Sequence, residues 1–86
     1  MYKPIVEAKR EFLLGKSFLE INSADSALFH LSRALNLFGR DSVNAFVQIA
    51  KARNYLGRTY RRKGQLDKAV LQYLAAVGWK GALPGI

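Results

Sequence analysis

The 86-residue chain contains no cysteine. Disulfides, thiolate catalysis and cysteine-ligated metal are therefore excluded, although the redox compartment is not fixed by this alone. Histidine is nearly absent too: His30 is the only one, between Phe29 and Leu31, which suits a surface or core-edge side chain and not a zinc site. The six acids, Glu7, Glu11, Glu20, Asp25, Asp41 and Asp67, are scattered, and no two make an evident acid–base pair for hydrolysis. No phosphate-binding glycine loop, dinucleotide fingerprint or nucleophile elbow is present. The expectation is a non-enzyme with no catalytic residue, no cofactor and no metal. No apolar run approaches the roughly 18 residues that cross a bilayer. The N-terminal MYKPIVEAKREF places charges where a signal peptide would be apolar, so the expected location is cytoplasmic.

Basic residues are plentiful. Fourteen Lys and Arg against six acids give a net charge of +8, which favours acidic peptides, nucleic acid or an anionic surface as partners over a neutral ligand. The length suits one small domain, which buries only about 60–65% of its unfolded surface and is modestly stable.

Apolar spacing divides the chain into four helices. Pro4 suits a first turn, and Ile5, Ala8, Phe12, Gly15, Phe18 and Leu19 then mark one buried face of a helix from about Lys3 to Ile21. Asn22, Ser23 and Asp25 supply turn and capping chemistry. Ala27, Leu28, Leu31, Ala34, Leu35 and Phe38 form the stripe of a second helix, expected to end at a left-handed Gly39. With Asp41 or Ser42 as cap, a third helix runs to about Lys63, its apolar face beginning at Val43, Phe46, Val47 and Ala50. Gly64 and Gln65 form a tight turn, and Leu66, Ala69, Val70, Tyr73, Leu74 and Val77 stripe a fourth helix that stops near Gly78. Asp67 in its first turn suits the helix dipole. The remainder, GWKGALPGI from Gly78 onward, is a poor helix former.

Two segments of this pattern match one another. Leu14, Gly15 and Phe18 have the mutual offsets of Leu56, Gly57 and Tyr60, and Ala27, Leu31 and Ala34 those of Ala69, Tyr73 and Ala76. The L-G-x2-aromatic then A-x3-[LY]-x2-A order resembles the tetratricopeptide repeat, a helix–turn–helix unit of about 34 residues. The departures are Glu11 and Arg53 where that family often has Trp, Gly39 and Gly81 where it often has Pro, and copies 42 residues apart, Leu14 to Leu56. The longer period predicts a second unit that begins with a lengthened helix. The resemblance implies an all-α fold: four antiparallel helices as two hairpins, a fragment of an α-solenoid. The units span about 3–39 and 42–78 of a single domain over residues 1–78, with a Gly- and Pro-containing tail at 79–86. A terminal repeat needs a polar cap or another covering element. Val70 and Leu74, with Trp79 and Leu83 of the tail, are therefore candidate self-association residues of a homodimer, or else the tail folds back.

Seven bases and one acid lie between Lys51 and Lys68. Lys51, Asn54, Tyr55, Arg58, Arg61 and Arg62 share a helix face by their offsets of three and four. In the family that the chain resembles, the first helix of each unit lines a concave peptide-binding groove. Carried over by position, that groove would comprise Lys9, Phe12 and Lys16 from the first unit and Lys51, Asn54, Tyr55, Arg58 and Arg62 from the second. Such a surface suits acidic side chains or a terminal carboxylate. The leading expectation is a protein–protein adaptor or scaffold with a basic groove for an acidic segment. A nucleic-acid-associated protein using the same Arg/Lys face, with Tyr55 and Phe12 as stacking platforms, is the alternative. A purely structural or engineered repeat module is the third.

Overall fold

The computed structural model describes residues 4–78, and these form four helices and no strand: α1 (Pro4–Glu20), α2 (Ala24–Gly39), α3 (Ser42–Arg62) and α4 (Leu66–Ala76). Each helix packs antiparallel on the next in sequence, and α1 also approaches α3 across one side of α2. The chain is all-α, as the apolar spacing predicts, and is built of two helical hairpins.

The hairpins repeat at 42 residues in atomic detail. Helix α1 ends in a Schellman motif: the Ser23 N–H donates to the Phe18 carbonyl at 2.8 Å and the Asn22 N–H to the Leu19 carbonyl at 3.0 Å. Helix α3 ends in the same way, Gln65 to Tyr60 at 2.9 Å and Gly64 to Arg61 at 3.0 Å. The motif requires one left-handed residue, supplied by Asn22 (φ 64°) and Gly64 (φ 77°); asparagine and glycine are the residues that tolerate it. Above each turn the helices meet at a glycine. A Cβ on Gly15 would lie 2.5 Å from Leu31 Cγ, and one on Gly57 would lie 2.7 Å from Tyr73 Cε1. Neither position has room for a Cβ unless its neighbour shifts.

The core is concentrated in α1, α2 and α3. One cluster joins Ala8, Ala34, Leu37, Phe38 and Ala45, with Ile5, Phe12 and Ile49 packed against it. Another joins Leu19, Ala27, Leu31 and Leu56, with Phe12, Phe18, Leu28, Leu35 and Tyr55 around it. Phe12 touches both. Helix α4 contributes one wholly buried side chain, Ala69.

Three expectations need correcting. Gly39 does not turn left-handed; the chain leaves α2 through a right-handed Arg40 (φ −69°, ψ −19°), and the Asp41 N–H donates to the Phe38 carbonyl at 3.1 Å. With only Arg40 and Asp41 between α2 and α3, near-helical geometry carries the chain across. Left-handed residues follow the other three helices, at Asn22, Gly64 and Gly78 (φ 81°). Second, α3 bends at Ala45 (φ −114°, ψ 17°), one turn after its start. From the bend onward, Ala45, Ala52, Leu56 and Thr59 turn inward, and Ile49 packs against the cluster that holds Ala45. Val43, Phe46 and Val47 are consequently exposed, Phe46 by 68%, and Ala50 is only half-buried. Third, Leu66 and Val70 on α4 and Val77 at its C-cap are exposed, while Ala69 is buried and Tyr73 and Leu74 are half-buried. No helix of the described residues is long and apolar enough to cross a membrane.

Candidate functional site

A groove runs between α1 and α3, and the repeat explains what lines it. Lys9, Phe12 and Lys16 occupy the stations in α1 that Lys51, Asn54 and Arg58 occupy in α3, so two rows of side chains flank a common channel. At its centre Phe12 meets Tyr55 edge to face, ring centroids 5.3 Å apart and planes at 84°, a favoured geometry for an aromatic pair. Two cations sit over the tyrosine ring: Arg58 Cζ lies 4.8 Å and Lys16 Nζ 5.8 Å from its centroid. The electron-rich ring face attracts both, which draws these charges toward the aromatic pair.

A cleft opens on each side of this aromatic bridge. The first, of about 330 Å³, is lined by Lys9, Phe12, Leu13, Phe38, Gln48 and Lys51. Its floor is apolar and its rim carries two ammonium groups. The second, of about 300 Å³, is lined by Leu19, Glu20, Tyr55, Arg58, Arg61 and Arg62, three guanidiniums against one carboxylate. The first can seat an apolar side chain, and the second can neutralise carboxylates through charge-assisted hydrogen bonds.

Of the expected groove residues, Lys9, Phe12 and Lys51 meet at the first cleft, Tyr55, Arg58 and Arg62 at the second, and Lys16 at the bridge. Asn54 is exposed on α3 and lines neither. Arg62 has a further role. Its Nη1 donates to the Leu19 carbonyl at 3.2 Å and to Asn22 Oδ1, so it satisfies the end of α1, where carbonyls lack helical partners. Lys63 pairs in the same region with Asp25. These two bases tie the end of the second unit's first helix to the turn of the first unit. Among the self-association candidates, Val70 is exposed and Leu74 half-buried, while Trp79 and Leu83 lie outside the described residues.

Sequence reasoning missed a polar cluster between α1 and α2. Glu11 is 7% exposed and holds His30 Nδ1 at 2.7 Å and Arg33 Nε at 3.3 Å; Arg33 also reaches Glu7 at 3.7 Å. An ionised carboxylate only accepts, so the proton of this bond is on Nδ1. Phe18 stacks on the imidazole at 5.3 Å. The bond from His30 is the main reason that the Glu11 carboxyl is held below its ordinary range; burial opposes it, and the charges of Arg33, His30 and Arg10 assist. Forty-two residues on, Arg53 Nη1 donates to Gln72 Oε1 at 3.4 Å. The pairs Glu11–His30 and Arg53–Gln72 thus occupy one site of the repeat. The departure from Trp at Glu11 and Arg53 is the available signal in the sequence, but the residue that faces each, His30 or Gln72, is set by how the hairpin folds. No group of three metal-ligating side chains exists among the described residues.

Comparison with family models, with curated proteins and with solved structures gives no match to this chain.

Proposed function

We propose that the chain is a non-enzymatic protein–protein interaction module, a cytoplasmic adaptor or scaffold of tetratricopeptide-like hairpins that binds an acidic peptide segment in the α1–α3 groove and pairs with a second copy of itself. The observation that carries the groove reading is the bridge of Phe12 and Tyr55 between a cation-rimmed apolar cleft and an arginine-rich cleft. An extended segment with one apolar residue beside acidic ones satisfies both clefts. Two-unit repetition in the turns, glycine contacts and polar pairs supports the tetratricopeptide-like reading.

Nucleic acid is the weaker reading of the same surface. Base stacking needs an open aromatic face, yet the Tyr55 ring already carries Arg58 and Lys16 and is met by Phe12. A base would have to displace a cation that also attracts phosphate.

The test is fluorescence anisotropy with a labelled acidic peptide containing one aromatic residue, beside a single-stranded oligonucleotide of equal charge. The peptide is expected to bind more tightly. Lys51→Glu and Arg58→Glu should each weaken it by about tenfold, which corresponds to about 1.4 kcal/mol. Arg40→Glu, an exposed reversal outside both clefts, serves as the control for net charge. Preference for the oligonucleotide, or equal loss with Arg40→Glu, overturns the groove reading.

A further inference from the structure

The repeat allows each outer face to be compared with an inner one that is already in contact. In α2, Leu28 and Leu35 are half-buried against the cluster that contains Leu56 of α3, with Ser32 between them in register. Their counterparts are Val70 and Leu74 in α4 and Val77 at its C-cap. This face of α4 is therefore the one that receives a helix in the first unit, and here Val70 and Val77 are exposed, Val77 by 81%. Leu66 extends the stripe to the start of the helix.

The opposite end of the molecule is built differently. Leu56 of α3 is buried in a cluster with Ala27 and Leu31 of α2, and Ala52 and Thr59, a turn to either side of it, are buried too; their counterparts in α1 are Leu14, Arg10 and Ser17. Docking the α1 of one copy on the α4 of another would bury the Arg10 guanidinium, at a large desolvation cost. Head-to-tail stacking, which would build an open filament, is blocked by that residue. Helix α4 itself carries only Asp67 and Lys68, so it is the surface on which two copies of a +8 chain meet with least repulsion. Its stripe also reads similarly in both directions. In an antiparallel pair centred between Leu71 and Gln72, Leu66 falls opposite Val77 of the other copy and Val70 within one residue of Leu74.

We propose that two copies pair through α4, antiparallel about a two-fold axis, to give a closed dimer with two outward-facing grooves. This specifies the self-association named above and does not depend on what the groove binds. The seam is the length of an 11-residue helix, about 16 Å, a small contact of the kind that forms reversible pairs.

Sedimentation equilibrium of the full chain, from low to several hundred micromolar, should show a reversible monomer–dimer equilibrium with nothing larger. Val70→Glu places an uncompensated charge in the seam and should weaken pairing by about 100-fold or more, with helical circular dichroism and acidic-peptide affinity retained. The absence of native cysteine makes a second test direct. In the double variant Val70→Cys, Leu74→Cys, mild oxidation should give a covalent dimer through reciprocal bridges. A monomer mass at every concentration, whatever segment covers α4, overturns the proposal. So does a ladder of higher oligomers, or dimerisation that Val70→Glu leaves unchanged.

Discussion

Ala8 and Ala50 stand at the same station of the two hairpins, but Ala8 is wholly buried whereas Ala50 is only half-buried. In the first unit Ala8 packs in a cluster with Leu37 and Phe38 from the last turn of α2. The counterparts of those residues are Trp79 and Lys80, beyond the end of α4 at Ala76. The units share turns, close glycine contacts and an interhelical polar pair, and they differ in how far the second helix extends. Helix α2 has 16 residues and α4 has 11. The shared features set how a hairpin closes; the longer second helix, together with Ala45 and Ile49 of α3 packed on the same cluster, seals the first.

The largest test of this contrast is a pair of phenylalanines. Phe38 is 2% exposed and Phe46 is 68% exposed. Phe38→Ala should cost about 3–5 kcal/mol, since it removes a packed ring and leaves a cavity. In a domain this small, such a loss takes most of the net stability. Phe46→Ala should stay within about 0.5 kcal/mol. Urea unfolding followed by circular dichroism measures both. A cost at Phe46 near that at Phe38 would mean that another part of the chain, or a second copy, covers the start of α3.

The glycines sharpen the comparison with a smaller effect. At Gly15 an added methyl meets Leu31, which is fully buried, and the Leu31 backbone nitrogen at 3.0 Å. At Gly57 it meets only the ring of Tyr73, which is half-buried. A locked neighbour cannot yield, whereas a ring at the edge can swing outward. Gly15→Ala should therefore destabilise by about 1–3 kcal/mol, the usual range for overpacking. Gly57→Ala should cost less, offset in part by the better helix propensity of alanine. Thermal melts of the two variants, compared in one buffer, decide it; equal losses would count against the tighter packing of the first unit.

These residues also mark what could be read from the sequence. The glycines, the alanine stripes and the turns at Asn22 and Gly64 were legible because each is a local requirement repeated at 42 residues, and repetition separates signal from chance. The face of α3 was not legible. Val43, Phe46, Val47 and Ala50 make as good an apolar stripe as Ala45, Ile49, Ala52 and Leu56, and the bend at Ala45 selects the second. In the groove, helical spacing brought the basic residues to one face but gave no sign that Arg62 is committed to the end of α1. That contact joins residues 43 apart, and only the parallel placement of α1 and α3 creates it.

The smallest predicted effect uses the polar pair at the shared site, where the first unit has a carboxylate and the second has none. The Glu11 carboxyl sits below its ordinary value in the folded chain, chiefly through the hydrogen bond from His30. The unfolded chain therefore takes up this proton more readily than the folded one, and proton uptake favours unfolding. The contribution of Glu11 is complete above its ordinary value of 4.5 and is lost as pH falls through the lower folded value. Wild type should lose melting temperature steeply in that acid window, while Glu11→Gln, with nothing to titrate there, should be less stable at neutral pH and fall less steeply. Arg53→Gln alters the matching site, Arg53–Gln72, without touching a carboxyl group, so its curve should run parallel to wild type over the same range. If Glu11→Gln also runs parallel, the Glu11–His30 bond contributes nothing to the pH dependence, and the two polar pairs differ in composition but not in energetic consequence.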